Sequence, residues 1–126
     1  PNLRAVLIIS DVSKVRTQFL TNYKGLHVSE DLKIPGDIDN FRAFFGEDLF
    51  QHPINEELIA QVRKRIVKYY IRAKRPFMLI IIPEQDLDQG VLQLVLIESK
   101  LDEVRVIGNR YFSSKDFIRA LDAKSG

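Results

Sequence analysis

Apolar residues fall along this chain in two rhythms, and each rhythm predicts a kind of element. Residues 3–10 (LRAVLIIS) are apolar almost without a break, as in a strand covered on both faces. Residues 77–82 (FMLIII) and 91–98 (VLQLVLIE) are rich in Ile, Leu and Val, which suit a pleated surface. In the second of these, Val91, Leu92, Leu94 and Leu96 stand against Gln93, Val95 and Ile97, so only part of it reads as one-sided. Between the two runs Pro83 cannot donate to a ladder and Gly90 can take positive φ. The spacing therefore predicts a β-hairpin with a wide polar loop.

The other rhythm is helical. Val12, Val15, Phe19, Leu20 and Tyr23 recur at helical steps, and residues 24–36 then read as irregular, punctuated by Gly25 and Pro35-Gly36. Residues 37–50 predict a helix with Asp37 as N-cap, Asp39 in its first turn, and Ile38, Phe41, Phe45 and Leu49 along one side, though Gly46 interrupts it. A longer helix follows. Asn55 caps it, Glu56 and Glu57 sit at the positive end of its dipole, Arg72, Lys74 and Arg75 sit at the negative end, and Pro76 stops it. Its expected apolar stripe is Leu58, Val62, Ile66, Tyr69 and Ala73. Residues 101–107 begin another strand, and Ser113-Ser114-Lys115-Asp116 is a capping-box-like start to a short helix carrying Phe117, Ile118 and Leu121. The predicted class is α+β, in the order β-α-α-β-β, with two helices packed on a small mixed sheet.

Composition narrows this only a little. A chain of 126 residues has room for one compact domain and a remainder, and 45% hydrophobic with 29% charged residues is a globular balance. No apolar run approaches the roughly 20 residues that span a bilayer as a helix. Residue 1 is proline and no signal-peptide pattern follows it, which suggests an excised or processed fragment. Cysteine is absent, so no disulfide or thiolate metal ligand is available, and the compartment stays open.

The residues that carry chemistry elsewhere are sparse here. His27 and His52 fall in predicted loops without a metal-ligand pattern, and both read as surface residues. Glu84, Asp86 and Asp88 alternate in a way that faintly resembles a calcium loop, but glycine and a closing glutamate are in the wrong places for an EF-hand. No nucleophile elbow, P-loop or dinucleotide fingerprint occurs, so neither an enzyme nor a cofactor is expected. The basic run is harder to set aside. On a helix Lys64, Lys68, Arg72 and Arg75 would share one face opposite the apolar stripe, a surface for anionic lipid, an acidic protein segment or nucleic acid. The net charge of only +2, and the expected burial of Tyr69, rank nucleic acid low.

The wording of the hairpin and its continuation is more specific than its geometry. Pro83, Gln85, Asp86, Leu87, Gly90, Val91, Leu92 and Glu98, followed by Val104, Val106, Gly108, Asn109 and Phe112, resemble the POTRA domains of two-partner secretion transporters in Gram-negative outer membranes, the haemolysin secretion/activation family. The match is strong over about residues 53–113 and departs from the family pattern at Ser99-Lys100, where many relatives carry a glycine. The resemblance implies a POTRA domain over residues 1–100, with residues 11–36 an elaboration, and the first strand and helix of a second over 101–126. It also implies a location on the periplasmic side of the outer membrane, with the signal sequence and membrane β-barrel outside this stretch. The expected partners are an unfolded or extended secreted exoprotein, an adjacent POTRA domain and the barrel. No chemistry is implied. The expected contact is β-strand addition at an exposed edge formed by Phe77, Met78, Leu79, Ile80, Ile81 and Ile82, a run that carries no blocking charge. Proline or lysine at Ile80 is then expected to block the edge without unfolding the domain. A POTRA domain of a barrel-assembly factor is the nearest alternative, and a basic-helix module for anionic lipid or nucleic acid is the alternative of another class.

Overall fold

The computed structural model describes residues 1–99, 104–113, 115 and 116. Four strands form one mixed sheet: β1 (Ala5–Ile9), β2 (Gly25–Val28), β3 (Met78–Ile81) and β4 (Val91–Glu98), in the order β2-β1-β4-β3. β1 runs parallel to both β2 and β4, and β3 pairs antiparallel with β4, as a hairpin must. The helices are α1 (Ile38–Phe45) and α2 (Glu56–Arg72). The fold is mixed α+β, with both helices contributing to the core on one sheet face.

The helix boundaries follow local chemistry. The Asp37 carboxylate accepts the Asn40 N–H at 2.8 Å, and the Asn55 amide oxygen accepts the Leu58 N–H at 2.8 Å, each satisfying a donor that the first turn leaves open. α1 stops earlier than its apolar pattern, because Gly46 takes φ +80 and returns its N–H to the Arg42 carbonyl. Phe41 and Phe45 from α1, and Leu58, Val62, Ile66, Val67 and Tyr70 from α2, meet Val6, Ile8, Met78, Ile80, Leu92, Leu94 and Leu96 in the main core. The stripe on α2 is rotated from the expected one. Tyr70 is fully buried, Ala73 is exposed at the C-cap, and Tyr69 lies half-buried between the helices with its ring 4.8 Å from Phe41 and 5.4 Å from Phe44.

The second face of the sheet is also covered, and this is where residues 11–36 differ from expectation. Residues 12–23 form no α-helix. Asp11 caps a single 3-10 turn (Val12–Lys14), a second turn spans Leu20–Asn22, and Phe19 before it adopts the left-handed region at φ 61. The chain crosses beneath the sheet, placing Leu20 and Tyr23 against Ala5, Leu7 and Val91, and Val12 and Val15 against Ile9, Val95 and Ile97. Residues 24–36, read as irregular, contain β2, and His27 is a half-buried strand residue and not a loop residue. A short hairpin of β5 (Arg105–Ile107) and β6 (Arg110–Phe112) completes this layer, with Ile107 and Phe112 in the cluster of Ile9, Val95 and Ile97. Gly108, at φ +60, opens the hairpin's two-residue turn. The capping-box-like start expected at 113–116 is formed, with the Asp116 carboxylate accepting the Ser113 N–H at 2.8 Å and Lys115 and Asp116 helical. Phe117, Ile118 and Leu121 of the expected short helix lie outside the described residues, as do residues 100–103 around the expected domain boundary.

Two carboxylates tie the covering segments down. Asp31 accepts from Lys14, Ser10 and Ser29, and those hydrogen bonds hold its pKa far below the usual carboxylate range. Arg65 grips Asp48 through both guanidinium nitrogens, at 2.5 and 2.8 Å, and lowers its pKa from 3.8 to about 2. A carboxyl whose folded pKa is depressed adds stability above its unfolded pKa and loses it as pH falls through the folded value. Urea unfolding midpoints are therefore expected to fall between about pH 4 and pH 2, and to fall less in a D31N/D48N variant. An equal loss in the variant would show that these two pairs do not set the acid limit.

Candidate functional site

β3 lies at the open end of the sheet, where the sequence placed a free edge. The register fixes which of its backbone groups are free. The Ser99 N–H donates to the Phe77 carbonyl, and β3 residues Leu79 and Ile81 sit opposite Ile97 and Val95. Antiparallel pairs alternate between hydrogen-bonded and open, so Phe77, Leu79 and Ile81 turn their N–H and C=O toward β4. The groups of Ile80, and the Ile82 N–H, then face away from the sheet, and they have no partner among the described residues. The Met78 N–H is taken by the Pro76 carbonyl at 2.9 Å.

The opposite edge is partly closed. Gly25 and Ser29 donate to Arg4 and Ile8 of the β1 side, so Leu26 and Val28 face outward. There the Arg42 Nε of α1 caps the Leu26 carbonyl at 3.1 Å. A side chain on an edge carbonyl blocks a ladder in the way that edge charges generally do. β3 carries no such block.

Ile80 itself does not behave as expected. Its side chain is only 4% exposed and lies in the main core between Met78 and the β4 leucines. Its backbone faces the edge while its side chain fills the interior, so lysine or proline there would damage the fold along with the edge. Leu79 and Ile81 point to the second face and are half-buried.

The loop motif proves to be one structural device. Pro83 falls opposite Gln93 in the β3–β4 register, at a position whose alternation calls for a hydrogen-bonded pair, and proline has no N–H to give. Gln85 substitutes for it. Its side-chain oxygen accepts the Gln93 N–H at 2.8 Å and its amide nitrogen donates to the Gln93 carbonyl at 2.7 Å, also reaching the Pro83 carbonyl at 2.9 Å. The Gln93 side chain then repeats the move one layer down. Only 1% exposed, it accepts the Arg16 N–H at 2.6 Å and donates to the Arg16 carbonyl at 2.8 Å. Two amides in series thus bind the loop to β4 and β4 to the segment beneath the sheet. Asp86 accepts the Asp88 N–H, Leu87 leans on the core, and Gly90 closes the loop at φ +76 against the N-terminal segment. Among the motif residues Gly108 lies under Val12, and Asn109 is exposed in the hairpin turn. The sequence marked Gln93 only as a break in alternation, and its long-range partner had no local signal.

The basic face is narrower than expected. Arg75 does not belong to it. α2 ends at Arg72, Lys74 takes φ 61, and the chain turns so that Arg75 makes a two-pronged ion pair with Glu98 of β4 while its guanidinium lies 5.6 Å from the Tyr70 ring. Lys64, Lys68 and Arg72 remain on the outer side of α2, without a carboxylate partner among the described residues. Arg72 lies over Phe44 at 5.4 Å and borders a hollow of about 350 Å³ with Pro35, Gly36, Asn40, Tyr69 and Ala73. A larger cleft of about 810 Å³ lies under β1 and β2, between Lys14, Arg16, Tyr23, His27 and Asp31, with bases and acids already paired across part of it. No helix among the described residues is long and apolar enough to cross a membrane. Compared with protein-family models, curated proteins and solved structures, the chain finds no match.

Proposed function

We propose that the chain is a POTRA-like domain that receives an extended polypeptide along β3, on the periplasmic side of a transporter that secretes a partner exoprotein. The observation that carries the reading is a difference between the sheet's ends: Arg42 takes the outward Leu26 carbonyl of β2, whereas among the described residues no side chain takes an outward backbone group of β3, where both groups of Ile80 and the Ile82 N–H are open. An incoming strand pairs with those groups through its own backbone, largely regardless of sequence. α2 supplies the wall above it. Its α1 side is marked by Arg65, Tyr69 and Arg72, which touch Asp48, Phe41 and Phe44, so Val67 and Ile71 lie on the other side, toward the open edge. Ile71 is exposed there, an apolar contact for alternate side chains of the client. The helix–helix–hairpin order and the loop motif support the POTRA assignment, with β2 and the segment beneath the sheet as additions to it. On this reading residues 101–126 open a following POTRA domain, and the parent's barrel and that domain are the other partners.

Because the Ile80 side chain is buried, the test uses Ile82. Ile82→Pro removes an outward N–H and sits outside the β3–β4 hydrogen-bonded pairs; Ile82 is only half-buried at the margin of the main core, so its loss costs the fold less than a change at Ile80. Amide NMR titration with the N-terminal segment of the exoprotein encoded beside this chain is expected to shift residues 78–82 in the wild type. The variant is expected to keep its dispersed spectrum and bind roughly two- to tenfold more weakly, since one strand hydrogen bond is lost. Unchanged affinity in a folded variant would remove β3 as the receiving edge.

A further inference from the structure

The basic strip on α2 and the hollow at its end share one residue, Arg72, and together they have the dimensions of a peptide site. Phe44 and Tyr69 stand edge to face at 5.4 Å and form an aromatic wall. The Tyr69 hydroxyl is committed to the Pro35 carbonyl, which fixes the ring. Gly36 keeps the rim low: a β-carbon there would come 3.3 Å from that hydroxyl. Arg72 lies over Phe44 on the strip side of the hollow, Asn40 lines its rim, and Ala73 leaves room for an apolar group. A hollow of about 350 Å³ is near the small end of ligand pockets and matches one apolar side chain with its polar end.

The strip extends this hollow in register with an extended chain. Lys64, Lys68 and Arg72 follow one another at four-residue steps, so their stems are spaced about 6 Å apart along the α2 axis. Alternate residues of an extended chain repeat every 6.6 Å or so. A strand lying along α2 therefore presents every second side chain to a successive cation. A free aromatic acid would use Arg72 alone and leave the lysines idle, and a flat anionic surface would not fill the hollow.

We propose that this surface binds the acidic C-terminal end of a polypeptide. The last residue's apolar side chain enters the hollow against the wall of Phe44 and Tyr69, its terminal carboxylate pairs with Arg72, and acidic side chains two and four residues upstream meet Lys68 and Lys64. The site is on the outer side of α2, separate from the β3 edge, and does not depend on the client proposed there.

The test is fluorescence polarisation on the full chain with a labelled heptapeptide ending in leucine, with glutamates two and four residues before the end. Capping the C-terminus as an amide, or Arg72→Gln, is expected to weaken binding about tenfold, as losing one charge-assisted hydrogen bond does. Moving the glutamates to the first and third positions before the end is expected to weaken it several-fold. Arg72 is exposed and outside the core, so the variant keeps its fold, which amide NMR checks. Ile82→Pro is expected to leave this binding unchanged, which separates it from the edge site. Equal binding of the acid and the amide, or indifference to glutamate register, overturns the proposal. So does binding to vesicles containing anionic phosphatidylglycerol when the peptide does not bind.

Discussion

Gly90→Ala is expected to destabilise the chain by more than about 3 kcal/mol, a large share of the ~5–15 kcal/mol that holds a typical domain folded. Two effects add. Gly90 sits at φ +76, where an L side chain crowds its own carbonyl at roughly 1–2 kcal/mol. Its β-carbon would also lie 2.5 Å from the Asn2 carbonyl oxygen and 3.4 Å from the Arg4 β-carbon. The first contact is with backbone, so no rotamer relieves it. Moving the N-terminal segment away would strain the hydrogen bonds that Arg4 and Ala5 give to the Gly90 carbonyl, at 2.7 and 3.2 Å, and with them the entry into β1. Gly25→Ala is the control. Its φ is +79, yet nothing lies within 4 Å of the added carbon, so only the conformational part of about 1–2 kcal/mol applies. Urea unfolding of both variants gives the comparison, and equal losses would show that the close approach to Asn2 contributes nothing.

The next largest effect is expected at Gln93, where leucine should destabilise by about 2–4 kcal/mol although it adds apolar volume to a buried site. The sign comes from Arg16. The Gln93 amide serves both the N–H and the C=O of that residue, and leucine would leave both without a partner under the sheet. The loss should be local in its first stage. Residues 11–23 are held by this clamp, by Val12, Val15, Leu20 and Tyr23 against the sheet, by Arg4 on the Thr21 and Tyr23 carbonyls and by the Asp31 cluster. The clamp is at the middle of the segment, so limited proteolysis is expected to cut near Arg16 before the rest of the variant unfolds. A Gln93→Leu chain as stable and as protease-resistant as the parent would mean that water satisfies Arg16 as well as the amide does.

How far the site was legible follows from the range of each interaction. The edge strand could be read from 77–82 because the absence of charge is a property of the run itself. What the edge offers could not, since the burial of Ile80 depends on α2 lying over β3. The basic face was legible at Lys64, Lys68 and Arg72, whose spacing belongs to one helix. It failed at Arg75, whose partner Glu98 is 23 residues away across the hairpin. The hollow joining Phe44 to Arg72 had no sequence signal, because it exists only where two helices meet.

The fold divides on the same line. Although α2 ends at Arg72, short of Pro76, sequence alone determined the two helices through their N-caps and apolar periodicity, and it determined the hairpin through Pro83 and Gly90. These are contacts within a few residues, and their physics does not depend on where the rest of the chain goes. Tertiary structure decided the fate of residues 12–28. Their apolar spacing fits a helix, but the Arg16 N–H that a helix would use internally is held by Gln93, 77 residues away. Four residues from Gly25 become a strand because β1 offers them a parallel partner. It also chose Tyr70 over Tyr69 for the interior, since the docking angle of α2 on the sheet sets which side of the stripe is buried. Such choices rest on pairing between distant segments, whose closure entropy is repaid only when the sheet and both of its covers form together.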